Sequence, residues 1–337
     1  MNCLASSPAS EGAIMETQTH EPTEARRRAL KAKIPIYDMD AHLIESDDDL
    51  RPFMAKPYCD KQGPLLGMDE WHVRVRRRPR APGDLQKRLE VMKDEGIVYS
   101  LLFPSRAMDV GTQRDKNFAV AFCRAYNDYA AGVCREAPEL RAVALLPFAV
   151  PDAAVSEIKR AVNELGLSGV VMSSFGLKEH IGSTTYWPIY QEMERLNVPL
   201  MIHASIQGPS GDRRADSFLL QHTVGRPVAT LYDCAVLIFG GVVEQFPKLR
   251  VAFLENRVAW VTYWMDYLDA KWDKRRADAQ TQAEFLYDRR QFFLLRRAGR
   301  KGAAPCAGTN RRRFDRLRHR LSAQRLGVHR RPARPHR

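Results

Sequence analysis

Asp40 and His42 stand two residues apart at the end of the apolar stretch Ile34-Pro35-Ile36-Tyr37-Asp38-Met39. Read as a strand, the stretch sends side chains at i and i+2 to one face. A carboxylate oxygen and an imidazole nitrogen would then meet one divalent ion, a donor pair that suits Zn2+ or Mn2+. Asp-x-His alone is common by chance. It gains weight because His203 closes another apolar strand, Val198-Pro199-Leu200-Met201-Ile202. Glu255 follows a third, Leu249-Arg250-Val251-Ala252-Phe253-Leu254. A carboxylate there can move or steer a proton. The plainer reading of Glu255 is a surface ion pair with Arg257. His222 falls in a loop ahead of an expected helix and is a second catalytic candidate, the alternative being an ordinary surface histidine.

The elements that must position these groups alternate along the chain. Leu85, Leu89 and Met92 mark a helix that stops near Gly96, and residues 97–103 read as a buried strand. Phe118, Phe122, Ala125 and Tyr129 mark a long helix, followed by a strand over 142–146 that Pro147 stops. Pro151 opens a helix that Gly166 ends, and a short strand over 170–172 follows. Helices over 186–196 and 228–246 lead to the strands of His203 and Glu255, and a helix over 258–272 closes the pattern. Trp260 and Trp264, four apart, suit core packing. Strands this continuously apolar are covered on both faces, which means a parallel sheet. The expected class is α/β, a (β/α)8 barrel of the TIM type. No GxGxxG or phosphate-binding loop follows a strand to support an open nucleotide-binding sheet. Asp40, His42, His203 and Glu255 also all lie at carboxyl ends of strands, where barrels gather catalytic groups.

Charge divides the 337 residues unevenly. Residues 289–337 hold sixteen Arg, one Lys and one acid, so this segment carries +16 and the preceding residues −3 of the chain's total of +13. Residues 1–33 are polar and read as a disordered lead-in. The barrel domain is expected over 34–293, with an Arg-rich tail over 294–337. No apolar run is long enough to span a membrane. The first residues lack the pattern of a secretory signal, and the six cysteines form no CxxC pair. A cytoplasmic protein with reduced thiols is expected.

Asp38-Met39-Asp40-Ala41-His42, the strand before Pro147 and Ile202-His203-Ala204 share a further pattern with the block from Ile238 through Glu255 to Trp272. Together they resemble the metal-dependent amidohydrolase superfamily, in the branch of aminocarboxymuconate-semialdehyde and resorcylate-type decarboxylases. The resemblance covers roughly residues 34–293. It implies one divalent metal ion, Zn2+ or Mn2+, on Asp40, His42 and His203. It also implies a small carboxylated or aromatic substrate and a hydrolase or decarboxylase (carboxy-lyase) reaction. Glu255 falls where the decarboxylases proper have His, which leaves the reaction type open. Arg106, Phe175 and Arg226 are unranked candidates for choosing the substrate. A homodimer is left open.

The resemblance also implies a last ligand, an Asp in a segment like Thr-Asp-Tyr-Pro-His after the eighth strand. This chain has no such segment. Arg318-His319-Arg320-Leu321-Ser322-Ala323-Gln324 can be encoded CGC CAC CGA CTA TCC GCA CAG. One base later the same letters read Ala-Thr-Asp-Tyr-Pro-His. The expectation is a frameshift near Leu294 that leaves the barrel without its last strand and one ligand. The competing class is an inactive barrel remnant whose polybasic tail binds acidic partners. Nucleic acid is disfavoured as that partner, because Phe314 is the only aromatic residue of the tail.

Overall fold

The computed structural model describes residues 35–66, 84–173, 176–203, 217–278 and 292–294. Its strands are β1 (Ile36–His42), β2 (Ile97–Phe103), β3 (Leu140–Ala142), β4 (Ala144–Leu145), β5 (Val170–Met172), β6 (Leu200–His203), β7 (Val251–Leu254) and β8 (Phe292–Leu294). Every pairing is parallel, in the orders β1-β2-β3 and β4-β5-β6-β7-β8.

β3 and β4 form one stave. The Val143 amide donates to Leu102 O at 3.1 Å, and the next amide, Ala144, donates to Gly169 O at 2.8 Å. The stave thus changes partner from β2 to β5 at Val143, which is why the single strand expected over 142–146 is two pieces beginning at Leu140. Asn127 fixes its end. Its Oδ1 accepts from the Leu145 amide at 2.8 Å, and its Nδ2 donates to Leu145 O at 3.0 Å. The same Nδ2 donates to Glu157 Oε1 at 2.8 Å, and Arg124 and Arg160 complete the satisfaction of that buried carboxylate. A buried polar group is tolerated when it is bonded in this way.

The described residues therefore supply seven consecutive staves of a parallel barrel wall. Six match the strands read from sequence; β8 was not anticipated. The expected lead-in and nearly all of the expected tail lie outside the described residues.

The helices are α1 (Asp47–Leu50), α2 (Asp84–Glu95), α3 (Lys116–Glu136), α4 (Pro151–Asn163), α5 (Trp187–Arg195), α6 (Phe218–Phe239), α7 (Val242–Gln245) and α8 (Trp260–Arg275). Local chemistry sets their ends. Ser46 and Asp49 form a reciprocal capping box on α1, and Asp115 caps α3 by accepting from the Phe118 amide. The helix expected over 228–246 is two helices. Ser217 caps α6 ten residues earlier than the expected start, and Pro227 is accommodated inside it. Gly241, with φ of +77°, then breaks the chain before α7.

Leu101, Leu102, Phe103, Val170, Val171, Leu200 and Val251 are almost wholly buried between helices and barrel interior. Each such side chain stabilises by roughly 1.5–3 kcal/mol. Trp260 and Trp264 pack against this core as expected. Among the described residues, no helix is long and apolar enough to cross a membrane.

Candidate metal centre

β1 carries an irregularity where chemistry begins. Its pairing with β2 steps from Asp38↔Ser100 to Ala41↔Leu102, so β1 holds one extra residue over Met39 and Asp40. Such a bulge re-aims side chains, and bulges are common beside active sites. Asp40 and His42 meet the other two candidates at the barrel mouth. One ligand atom from each of Asp40, His42, His203 and Glu255 lies within 4.8 Å of all the others.

The imidazole of His42 has a defined orientation. Its Nδ1 lies 3.0 Å from Pro104 O. A carbonyl can only accept, so the proton sits on Nδ1 and the Nε2 lone pair is left for an ion. The rings of His42 and His203 meet edge to face with centroids 5.1 Å apart. Phe103 walls both, at 6.2 Å from each. Burial lowers the pKa of His42, opposed by Glu255 and by the hydrogen bond to Pro104, with Arg226 and Arg88 adding to the lowering. The neutral imidazole, the ligating form, is favoured.

Glu255 directly follows β7 and has φ of +60°. A non-glycine residue in this region costs of order 1–3 kcal/mol and is concentrated at functional sites. The turn places Oε1 at 3.9 Å from His42 Nε2 and Oε2 at 3.8 Å from His203 Nε2. Asn256 braces it by donating to Leu254 O at 3.0 Å and to the Thr230 hydroxyl of α6. A charged partner at Glu255 Oε2 is Arg226, also on α6.

The donor set fits a divalent ion. Two donors each ~2.1 Å from a metal lie ~3.4 Å apart in a tetrahedron and ~4.2 Å apart when opposite, so side-chain shifts of under ~1 Å suffice.

Sequence reasoning brought Asp40, His42, His203 and Glu255 together, and the structure does the same. His222 belongs inside α6 rather than in a loop, because the Ser217 cap starts the helix before it; its side chain lies outside the described residues, as does Phe175. Arg226 is likewise on the helix and reaches the cluster. Arg106 is buried and ion-paired to Asp47 at 3.0 Å.

Glu45 was missed. Both its oxygens accept from the Ser105 amide at 3.1 Å, and Oε1 accepts from Ala107 N at 2.7 Å. It ties the segment after β1 to the segment whose Pro104 carbonyl orients His42. Burial pushes its carboxyl up to about 7, against those hydrogen bonds. Its one sequence signal was the Ser46-x-x-Asp49 cap beside it, since Glu-Ser-Asp-Asp-Asp otherwise reads as a solvated acidic run. An apolar recess lies on the same face of the barrel, lined by Met108, Val110, Leu145, Phe148, Val171 and Met172 among others.

A family model described as amidohydrolase matches residues 37–326. The chain belongs to the amidohydrolase family. It is 29 % identical over 197 residues to a gamma-resorcylate decarboxylase of Rhizobium sp. (strain MTP-10005), a match covering 52 % of this chain and 60 % of that protein. It is 32 % identical over 129 residues to a 2-amino-3-carboxymuconate-6-semialdehyde decarboxylase of Dictyostelium discoideum, covering 38 % of this chain and 35 % of the relative. The chain thus spans about 60 % of the length of the first of these curated relatives. A solved dihydroxybenzoic acid decarboxylase from Polaromonas sp. JS666, with bound manganese and the inhibitor 2-nitroresorcinol, superposes with a TM-score of 0.54. That likeness has 21 % identity and covers 77 % of each chain, and it shows the amidohydrolase barrel fold. The matched family range passes the expected domain end at 293 and includes part of the basic segment.

Proposed function

We propose that Asp40, His42 and His203 hold one divalent ion, Zn2+ or Mn2+, and that the ancestral reaction is decarboxylation of a small aromatic carboxylate. The observation that carries this reading is the convergence of four ligand atoms within 4.8 Å at the mouths of three staves. A bound dication would draw electron density from the substrate carboxylate and a neighbouring oxygen. His42 offers Nε2 because Pro104 holds the proton on Nδ1. The ring carbon that loses CO2 keeps the bonding electrons and needs a proton. Glu255 is placed to deliver it after first taking one up. Hydrolysis would ask the same group to take a proton from water, and the decarboxylases among the relatives favour the first reading. His222 remains a proposed pocket residue without a stated atom.

We further infer that residues 294–337 replace an ancestral ending through a frameshift. Support comes from the Arg-rich composition and from permitted codons for residues 318–324 that read Ala-Thr-Asp-Tyr-Pro-His one base later. Seven staves among the described residues leave β1 and β8 without a described stave between them. Unpaired strand edges and one ligand fewer weaken both barrel and ion binding.

Two chains test both readings: this polypeptide, and a version returned to the ancestral frame near Leu294. Metal analysis should find one Zn or Mn per chain in each, held more loosely in the first. The restored chain should release CO2 from 2,6-dihydroxybenzoate. Coding DNA whose codons exclude the shifted reading overturns the tail hypothesis. Two metal-free chains, of which only this polypeptide binds polyanions in a salt-sensitive way, would instead support the barrel remnant with a polybasic tail.

A further inference from the structure

We propose that Arg226 is the substrate-anion receptor of this site, and that it pairs with Glu255 only until an anionic ligand arrives. The inference rests on the metal-centre reading above and adds the residue that selects charged over neutral ligands.

The observations concern one guanidinium. Arg226 Nη1 contacts Glu255 Oε2, the oxygen that lies 3.8 Å from His203 Nε2. Its side chain is 17 % exposed, and its Nε–H is enclosed without a hydrogen-bond partner. The side chain comes from α6 one residue before Pro227, which cannot donate a backbone hydrogen bond to the preceding turn.

Charge balance gives the direction. As ligands of an ion the imidazoles of His42 and His203 would be neutral and add no charge. Among these described groups a dication would be cancelled by the carboxylates of Asp40 and Glu255, leaving the Arg226 charge in surplus. Glu255 would then face two cations with one negative charge. A partly buried guanidinium that shares its counter-ion, with an idle donor on the same planar fork, matches a carboxylate in size, charge and geometry. A neutral phenol offers no such compensation. Occupying Arg226 with the ligand also frees Glu255 to act on a proton.

The test uses the full chain loaded with Mn2+, as wild type and as the Arg226→Met and Arg226→Lys variants. Metal content is measured first, and then binding of 2-hydroxybenzoate and of uncharged phenol by calorimetry. Wild type should prefer the carboxylate by about tenfold or more, and Arg226→Met should lose most of that preference while keeping its metal. Arg226→Lys should keep part of it, because charge survives but the fork does not. An unchanged preference in Arg226→Met with metal retained overturns the receptor alone and leaves the metal centre standing. Metal lost only in Arg226→Met makes Arg226 a support for the centre and also overturns the proposal. No metal in wild type removes the charge surplus, so both readings fall.

Discussion

Glu45 and Ala107 are joined by a 2.7 Å hydrogen bond that locks the segments after the first two staves together. Pro104, three residues before Ala107, holds the Nδ1 proton of His42. Orientation of the first imidazole thus depends on a carboxylate buried one layer behind it. The carboxyl of Glu45 sits at about 7 against an ordinary 4.5. Between those values the native chain binds more protons than the unfolded chain. Stability therefore falls as pH rises from 4.5 through 7, by at most about 3 kcal/mol. Glu45→Gln cannot titrate and should show a flatter stability profile across that window in urea melts. A slope equal to that of wild type contradicts this assignment.

Asn127→Ala removes the side chain that satisfies both backbone polar groups of Leu145 and one donor to buried Glu157. The expected loss is about 2–4 kcal/mol, from unsatisfied buried groups and a small cavity. Urea unfolding should show an earlier midpoint. A change under ~0.5 kcal/mol would mean that water replaces the amide at no cost.

Glu255→Gln keeps the shape of the side chain but cannot exchange a proton. In the frame-restored chain it should lower decarboxylation by roughly 10²-fold or more while metal content stays near one per chain. Full activity would move the proton role elsewhere. Glu255→Gly addresses the backbone instead. With φ at +60° the glycine relieves strain and should offset part of the stability lost with the side chain.

The parallel barrel and the four-residue cluster were legible because they rest on short-range patterns. Continuous apolar strands announced the staves, and the polar residues ending three of them announced the mouth. Other features depended on partners distant in sequence. The break at Val143 follows from a change of neighbouring strand, which no local pattern records. The early start of α6 was hidden by Pro227, which looks like a boundary and is carried inside the helix. Arg226 read as one of several unranked substrate-choosing candidates until α6 brought it to Glu255. Glu45 looked like part of a solvated acidic run, and only the fold showed its backbone donors, Ser105 and Ala107.

The most direct test of the metal centre is X-ray absorption at the Mn or Zn edge on the loaded chain, compared with His203→Ala. The account predicts one ion with two imidazoles and carboxylate oxygens at ~2.0–2.2 Å, one imidazole disappearing in the variant. An ion whose spectrum is unchanged by His203→Ala, or a chain that takes up no ion, would contradict it.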